Sequence, residues 1–187
     1  MKIEKIVVGS YEENCYLVIK GKEAIVIDPG DEFSKIDTKI KNLGVNVVGI
    51  LITHAHFDHV GALEDMVNKY SVPLYYNNIN SEIIYDKLVN IEETEYDISD
   101  FKFRVINTPG HRNDSVTYYF YDDNTMFTGD FLFKGTIGRT DLEYASYDEM
   151  KNSIEKIKNY DDNIVIYPGH GEESSLKWEK ENNLYLC

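Results

Sequence analysis

A layered α/β or α+β sandwich is the fold class that this sequence predicts. Three observations carry it. Apolar stripes at helical spacing fall between apolar runs of strand length, the pattern of layered sheets and helices. Hairpin-like strand pairs occur at the start and in the middle, which argues against a purely doubly wound parallel sheet. The 187 residues show no linker, repeat or shift in composition, so one domain over 1–187, with a core that needs no staples, is expected.

The elements follow in order. Residues 2–8 and 14–20 read as strands about a Gly9-Ser10 turn. A third strand, 23–28, is built on Ala24-Ile25-Val26-Ile27 and stopped by Asp28-Pro29-Gly30. Phe33, Ile36, Ile40 and Leu43 share one face of a first helix, and Gly44 ends it. The uncharged run Val47-Val48-Gly49-Ile50-Leu51-Ile52 reads as a buried strand. Val60, Leu63, Val67 and Tyr70 predict a second helix, and 72–76 a short strand. Ile84 and Leu88 suggest a weak helix over 81–88, and 91–100 reads as acidic and irregular. Residues 101–107 alternate as a strand ended by Thr108-Pro109-Gly110; strands over 115–121 and 125–128 flank a turn at Asp122-Asp123-Asn124. A long loop is expected over 129–144, with three of the twelve glycines, and loops of this length are often functional. Ser146-Tyr147-Asp148-Glu149 is a capping box opening a helix with Met150, Ile154 and Ile157 on one face. A last apolar strand, 164–167, runs into Pro168-Gly169-His170-Gly171, and a polar helix from about 174 closes the sequence.

Composition narrows the function. Asp and Glu total 33 against 19 Lys and Arg, a formal net charge of −14. That surface argues against binding nucleic acid, whose phosphates need Lys and Arg. The two cysteines, Cys15 and Cys187, make neither a disulfide framework nor a zinc knuckle. The first residues mix charges and carry no apolar signal segment, and no apolar run approaches membrane-spanning length. A soluble cytoplasmic protein with no membrane partner is expected. Nothing in the sequence sets its oligomeric state. The fifteen tyrosines fit tyrosine-rich strands.

Chemistry concentrates after the buried strand, in Thr53-His54-Ala55-His56-Phe57-Asp58-His59-Val60-Gly61, which holds three of the five histidines. A lone loop histidine is usually a solvated surface residue. Three in six residues beside a buried strand would cost desolvation for no gain unless they bind something, and a metal is the natural ligand. The remaining two, His111 and His170, each follow a strand and a Pro-Gly stop, and Asp130 follows a strand and Gly129. Four strands thus end in loops that carry His54, His56, Asp58 and His59, then His111, Asp130 and His170. These donors exceed one tetrahedral site and suit two divalent ions. They contain no thiolate, whereas structural zinc sites are usually closed and cysteine-rich. Open nitrogen and oxygen sets are catalytic, and two neighbouring ions can share a hydroxide and polarise a carbonyl.

The motifs Thr-His-Ala-His-Phe-Asp-His-Val-Gly at 53–61, Thr-Pro-Gly-His at 108–111, Thr-Gly-Asp at 128–130 and Pro-Gly-His-Gly at 168–171 resemble the metallo-β-lactamase superfamily. Within it they are most similar to glyoxalase II (hydroxyacylglutathione hydrolase) and its short relatives. Asp28-Pro29-Gly30 resembles that family's first motif, and Gly138-Arg139-Thr140-Asp141 resembles the loop after its bridging aspartate. The resemblance runs in the family's order from about Asn14 onward. It implies a four-layer αββα sandwich with the metals at one edge of two sheets. It implies His54, His56 and His111 on one ion, Asp58, His59 and His170 on the other, and Asp130 bridging both. The implied activity is hydrolysis of S-acyl (2-hydroxyacyl) thioesters of a small thiol by a hydroxide on two divalent ions. Zinc is expected, with iron or manganese as substitutes, and Asp58 orients the hydroxide. Asp28 is expected behind the ligands, holding the metal loop. Arg139 would brace the same region by an ion pair with Asp141. Phe133 and Lys134, near the bridging aspartate, are the expected substrate contacts, although core packing also accounts for Phe131 and Phe133.

Two departures stand out. Arg112-Asn113-Asp114 replaces the Thr-Pro-Gly that the family often carries after the fourth histidine, altering a loop beside the metals. Full glyoxalase II has an extra C-terminal helical region that contacts glutathione, where this sequence has one helix after His170. Relatives can be trimmed as well. Zinc β-lactamases commonly carry cysteine where Asp130 stands, flavodiiron proteins carry glutamate where His56 stands, and RNA-processing relatives need additional RNA-binding elements. Remaining alternatives are a persulfide dioxygenase with one iron on His54, His111 and Asp130, a lactonase with the same two-metal set, and a metal-binding protein without turnover.

Overall fold

The computed structural model describes residues 1–187, and the chain forms two compact units. The first is Met1–Ile91 with Asp97–Phe101, the second Glu92–Tyr96 with Lys102–Cys187.

The first unit contains β1 (Lys2–Val8), β2 (Glu13–Lys20), β3 (Glu23–Ile27), α1 (Phe33–Leu43), β4 (Asn46–Leu51), α2 (Phe57–Val60), α3 (Leu63–Tyr70), β5 (Leu74–Tyr76) and β6 (Leu88–Asn90). They give a six-stranded sheet in the order β1-β2-β3-β4-β5-β6. Short turns make β1, β2 and β3 antiparallel. The longer connections through α1 and α3 return the chain parallel, so β3, β4 and β5 run the same way. Ile36 and Ile40 of α1 and Leu63, Met66 and Val67 of α3 bury their stripes in one core with Leu17, Val26 and Ile50 of the sheet. β4 lies in the middle of this sheet, and its C-terminal end carries the first histidine loop.

The second sheet uses β7 (Glu95–Ile98), β8 (Phe101–Asn107), β9 (Val116–Phe120), β10 (Thr125–Gly129), β13 (Val165–Pro168) and β14 (Ser174–Ser175), after the short hairpin β11 (Leu132–Phe133) and β12 (Thr136–Ile137) and the helix α4 (Tyr147–Ile157). Helix α5 (Leu176–Asn182) follows. The order is β14-β13-β10-β9-β8-β7. β10 and β13 are parallel neighbours joined through α4, so their C-terminal ends, with Asp130 and His170, emerge side by side. Met150, Ile154 and Ile157 of α4 and Leu176 of α5 share a core with Met126 and Ile166. Ser146 caps α4 by accepting the Glu149 N–H at 3.3 Å. Its own N–H goes to Gly110 O at 2.8 Å, so the other half of the capping box gives way to an anchor for the His111 loop.

Four segments differ from the sequence expectation. No helix forms over 81–88: Ile84, one of its two anchors, is 96% exposed, and Asn78 holds Ile83 by its side-chain amide. The acidic stretch contains the edge strand β7, where Tyr96 stacks on Phe103 and charged residues face outward. The 129–144 loop contains the β11–β12 hairpin, turned at Gly135 with φ 76°. The helix after the histidine cluster starts earlier, at Phe57, and breaks at Gly61. A Cβ at Gly61 would stand 2.3 Å from Gly30 O, and the Ala62 N–H bonds Pro29 O at 3.0 Å instead of continuing the helix. No helix of the chain is long and apolar enough to cross a membrane.

Candidate metal centre

In the first unit, the parallel ladder sets the start of the histidine loop. Ile52 N–H extends it to Tyr75 O at 3.0 Å, and Thr53 N–H turns to the Asp28 carboxylate, Oδ1, at 2.7 Å. The chain then passes His54, reaches His56 in extended conformation and enters the single turn α2, which carries Asp58 and His59. The His54 and His59 rings are fully buried, with centroids 4.1 Å apart; His56 and Asp58 are partly exposed.

Hydrogen-bond partners assign the ring protons. Thr53 Oγ1 donates to Asp28 Oδ2 at 2.6 Å, so toward His54 Nδ1, 3.1 Å away, it accepts. His59 Nδ1 donates to Asp28 Oδ2 at 3.0 Å. Both rings therefore carry the proton on Nδ1 and keep a lone pair on Nε2. His54 Nε2 stands 3.1 Å from His56 Nδ1, so donor atoms of neighbouring residues converge. Asp28 bonds Thr53 and His59, and Thr53 in turn bonds His54, so one carboxylate orients two imidazoles.

In the second unit, Gly110 turns the chain toward His111 with φ 145°, and a Cβ there would lie 2.5 Å from the Met150 backbone. His111 Nδ1 donates to the Arg139 carbonyl at 2.9 Å, which again leaves Nε2 as the lone-pair nitrogen. Asp130 follows Gly129 at the end of β10, and Gly169 N–H bonds Gly129 O at 2.9 Å to set His170 beside it. His111 Nε2 lies 3.5 Å from Asp130 Oδ2, and His170 Nε2 lies 3.6 Å from Asp130 Oδ1. These separations are too long for good hydrogen bonds. Two ligands about 2.1 Å from a common ion at the tetrahedral angle stand roughly 3.4 Å apart, close to what is seen. Asp130 thus offers a different oxygen to each histidine, as a bridging carboxylate does.

The donor set fits divalent ions in both units. Three imidazoles have Nδ1 engaged and keep Nε2 as a lone-pair nitrogen that a metal can take, and Asp130 presents one oxygen to each of two histidines. The Arg139 guanidinium is exposed and pairs with Asp141 at 2.7 and 2.9 Å. It is the Arg139 carbonyl, not the guanidinium, that touches a candidate ligand. Phe133 lies with its ring 6.1 Å from that of His170, and Lys134 pairs with Glu172 at 2.6 Å at the surface.

Sequence reasoning assigns no role to five residues that the structure places near these groups. Thr53 was read as part of a motif and not as the relay between Asp28 and His54. Gly138 permits a close approach, since a Cβ there would sit 1.8 Å from Asp130 O and 3.2 Å from His111 Cβ. Arg112 and Asp114 form a buried pair at 2.9 Å in the loop that departs from the family motif. Glu13 is a buried acid 3.8 Å from His59. The sequence places the second strand at 14–20, one residue short of Glu13, whereas β2 starts at Glu13 itself and buries it.

Comparison with known proteins agrees with the geometry. The profile of the metallo-β-lactamase superfamily matches residues 9–170. The chain is 34% identical to a protein of Bacillus subtilis named probable metallo-hydrolase YqgX, covering 100% of this chain and 98% of that one. It is 30% identical to the hydroxyacylglutathione hydrolase GloC of Haemophilus influenzae, again over 100% and 98%. Among solved structures, the BLEG-1 B3 metallo-β-lactamase superposes with a TM-score of 0.91 at 30% identity, covering 100% of both chains. Two mixed sheets flanked by helices, histidine and aspartate clusters at strand ends and a profile match over most of the length place this chain in the metallo-β-lactamase superfamily, as a metal-dependent hydrolase.

Proposed function

We propose that the chain is a thioesterase of glyoxalase II type, hydrolysing 2-hydroxyacyl thioesters of a small thiol with two divalent ions. In this reading the ligands are the seven side chains that the family resemblance implies, His54, His56, Asp58, His59, His111, Asp130 and His170, with Asp130 shared. Zinc is the first choice, and iron or manganese suits the same donors. The observation that carries the reading is the donor set: imidazoles fixed by Thr53, Asp28 and Arg139, together with carboxylates and no thiolate. The resemblance to hydroxyacylglutathione hydrolase supports the substrate class.

Bound ions of this kind lower the pKa of a water toward about 7 and stabilise negative charge on a carbonyl oxygen. The chain's own residues do the rest. Asp58, on α2 beside the buried histidines, accepts a hydrogen bond from the attacking water and aims it. Thr53 and Asp28 keep the His54 and His59 protons on Nδ1, so both rings stay oriented through turnover. Phe133 and Lys134 contact the substrate at the rim. Attack breaks the thioester C–S bond, and the products are a carboxylate and a thiol. The partner is a small soluble thioester in the cytoplasm, with no nucleic acid or membrane; the unpaired Cys15 and Cys187 support a reducing compartment.

A second reading, β-lactam hydrolysis, is favoured by the likeness to the BLEG-1 B3 metallo-β-lactamase, while Asp130, where zinc β-lactamases commonly carry cysteine, weighs against it. One experiment separates the readings. Metal-replete protein is assayed against S-lactoyl thioesters of several low-molecular-weight thiols and a chromogenic cephalosporin. The expected result is turnover of at least one 2-hydroxyacyl thioester, well above that of the cephalosporin. Turnover of the cephalosporin alone would establish the second reading and reject the first.

A further inference from the structure

We infer that Glu13 is a positioning residue for the metal centre: a second carboxylate, beside Asp28, that backs the His59 imidazole from within the protein. The inference rests on the metal centre proposed above.

Glu13 opens β2, a strand buried along its length up to Lys20. A carboxylate at 1% exposure in such a strand is costly, and its place in the fold is built and not incidental. The turn before it bends through Gly9 at φ 66° and Glu12 at φ 54°, which delivers the side chain inward. Room is made by Gly30, where a Cβ would stand 2.6 Å from Glu13 Oε2. At the end of this path Glu13 Oε1 lies 3.8 Å from His59 Nδ1, on the side of the ring already bonded by Asp28 Oδ2 at 3.0 Å. Glu13, Asp28 and His59 are all buried, and their ligand atoms lie within 4.8 Å of one another.

The arrangement has an electrostatic consequence. Two negative charges behind one imidazole, where dielectric screening is weak, make its outward Nε2 a stronger donor to a cation. Without a cation at Nε2, the same two like charges oppose each other. Glu13 should therefore strengthen metal binding while doing little for, or opposing, the stability of the metal-free protein. A merely structural carboxylate would do the reverse.

The test is Glu13→Gln, which keeps the shape and removes the charge. Metal affinity is measured by competition with a chromogenic chelator, and thermal stability is measured on the metal-free protein. The expected result is a 10- to 100-fold loss of affinity for the more weakly held ion, with metal-free stability unchanged or higher. Unchanged affinity with lowered metal-free stability would overturn the inference. A third equivalent of metal in the native protein, lost in Glu13→Gln, would also overturn it, in favour of a buried cation site. A native protein that binds no metal would instead count against the proposed centre, so the two failures are distinguishable. If Glu13→Gln does not fold, Glu13→Asp, which keeps the carboxylate but shortens its reach toward His59, serves as a second variant: lowered affinity is expected, and unchanged affinity would overturn the inference.

Discussion

The candidate ligands of the first unit and those of the second are supported in different ways. The first gathers four donors in six residues and backs them with side chains: Asp28, Thr53 and Glu13 lie behind His54 and His59. The second draws three donors from three strand ends and backs them with main chain: the Arg139 carbonyl holds His111, and Gly110 and Gly138 let loops come close. A contiguous cluster can be held by a few buried polar groups. Scattered donors must be held by backbone that fits with no atom to spare. The first set should therefore be sensitive to polar substitutions behind its ligands, and the second to any added Cβ.

The largest expected effect falls on both sets alike. His56→Ala or Asp130→Ala should lower thioester turnover by about 10³-fold or more, since several kcal/mol of charge stabilisation is lost, while the circular-dichroism spectrum stays native. Near-normal turnover by both would refute the mechanism. Next comes the main-chain support. Gly138→Ala must displace Asp130 O from 1.8 Å, and overpacking of this kind costs about 1–3 kcal/mol, or roughly 2–12 °C in Tm. Gly21→Ala, which has open space but φ 60°, is the control for backbone strain alone. Equal losses in the two would sink the argument from close approach.

A sharper contrast comes from Asp28→Asn and Arg139→Ala. Removing the Asp28 charge should cost about 10- to 100-fold in metal affinity. Removing the Arg139 side chain leaves its carbonyl on His111 and loses only an exposed, solvent-screened ion pair, so affinity should hold within about threefold. The smallest effect lies in the first unit away from the centre. Lys41, then Tyr70, holds the Asp37 carboxyl below its ordinary value of 3.8. A depressed pKa means that the folded state binds its proton later than the unfolded one. The contribution is present above pH 3.8 and is lost as pH falls through the lowered value. Asp37→Asn should flatten the acid limb of Tm against pH and leave metal content unchanged.

The same contrast governs what could be read in the sequence. The 53–61 cluster declares itself through density beside an uncharged strand. His111, Asp130 and His170 are single residues, legible only because each follows a strand and a glycine. Most strands and three of the helices follow from periodicity and stops such as Asp28-Pro29-Gly30. The misreadings have local causes. Ile84 carries an apolar side chain that nothing covers, and β7 is an edge strand whose outward residues are acidic. The break at Gly61 depends on Gly30 O, thirty-one residues earlier, and no local pattern reports such a contact. Glu13 and Thr53 are hidden for the same reason: their roles exist only after β2, β3 and β4 are side by side.

The central claim, a centre for two ions built from these seven side chains, is tested most directly by metal content. Protein expressed with zinc, iron or manganese, desalted and measured by elemental mass spectrometry should carry about two ions per chain, falling to one or fewer in Asp130→Ala. A well-folded native protein that carries none after metal-replete expression would contradict the account.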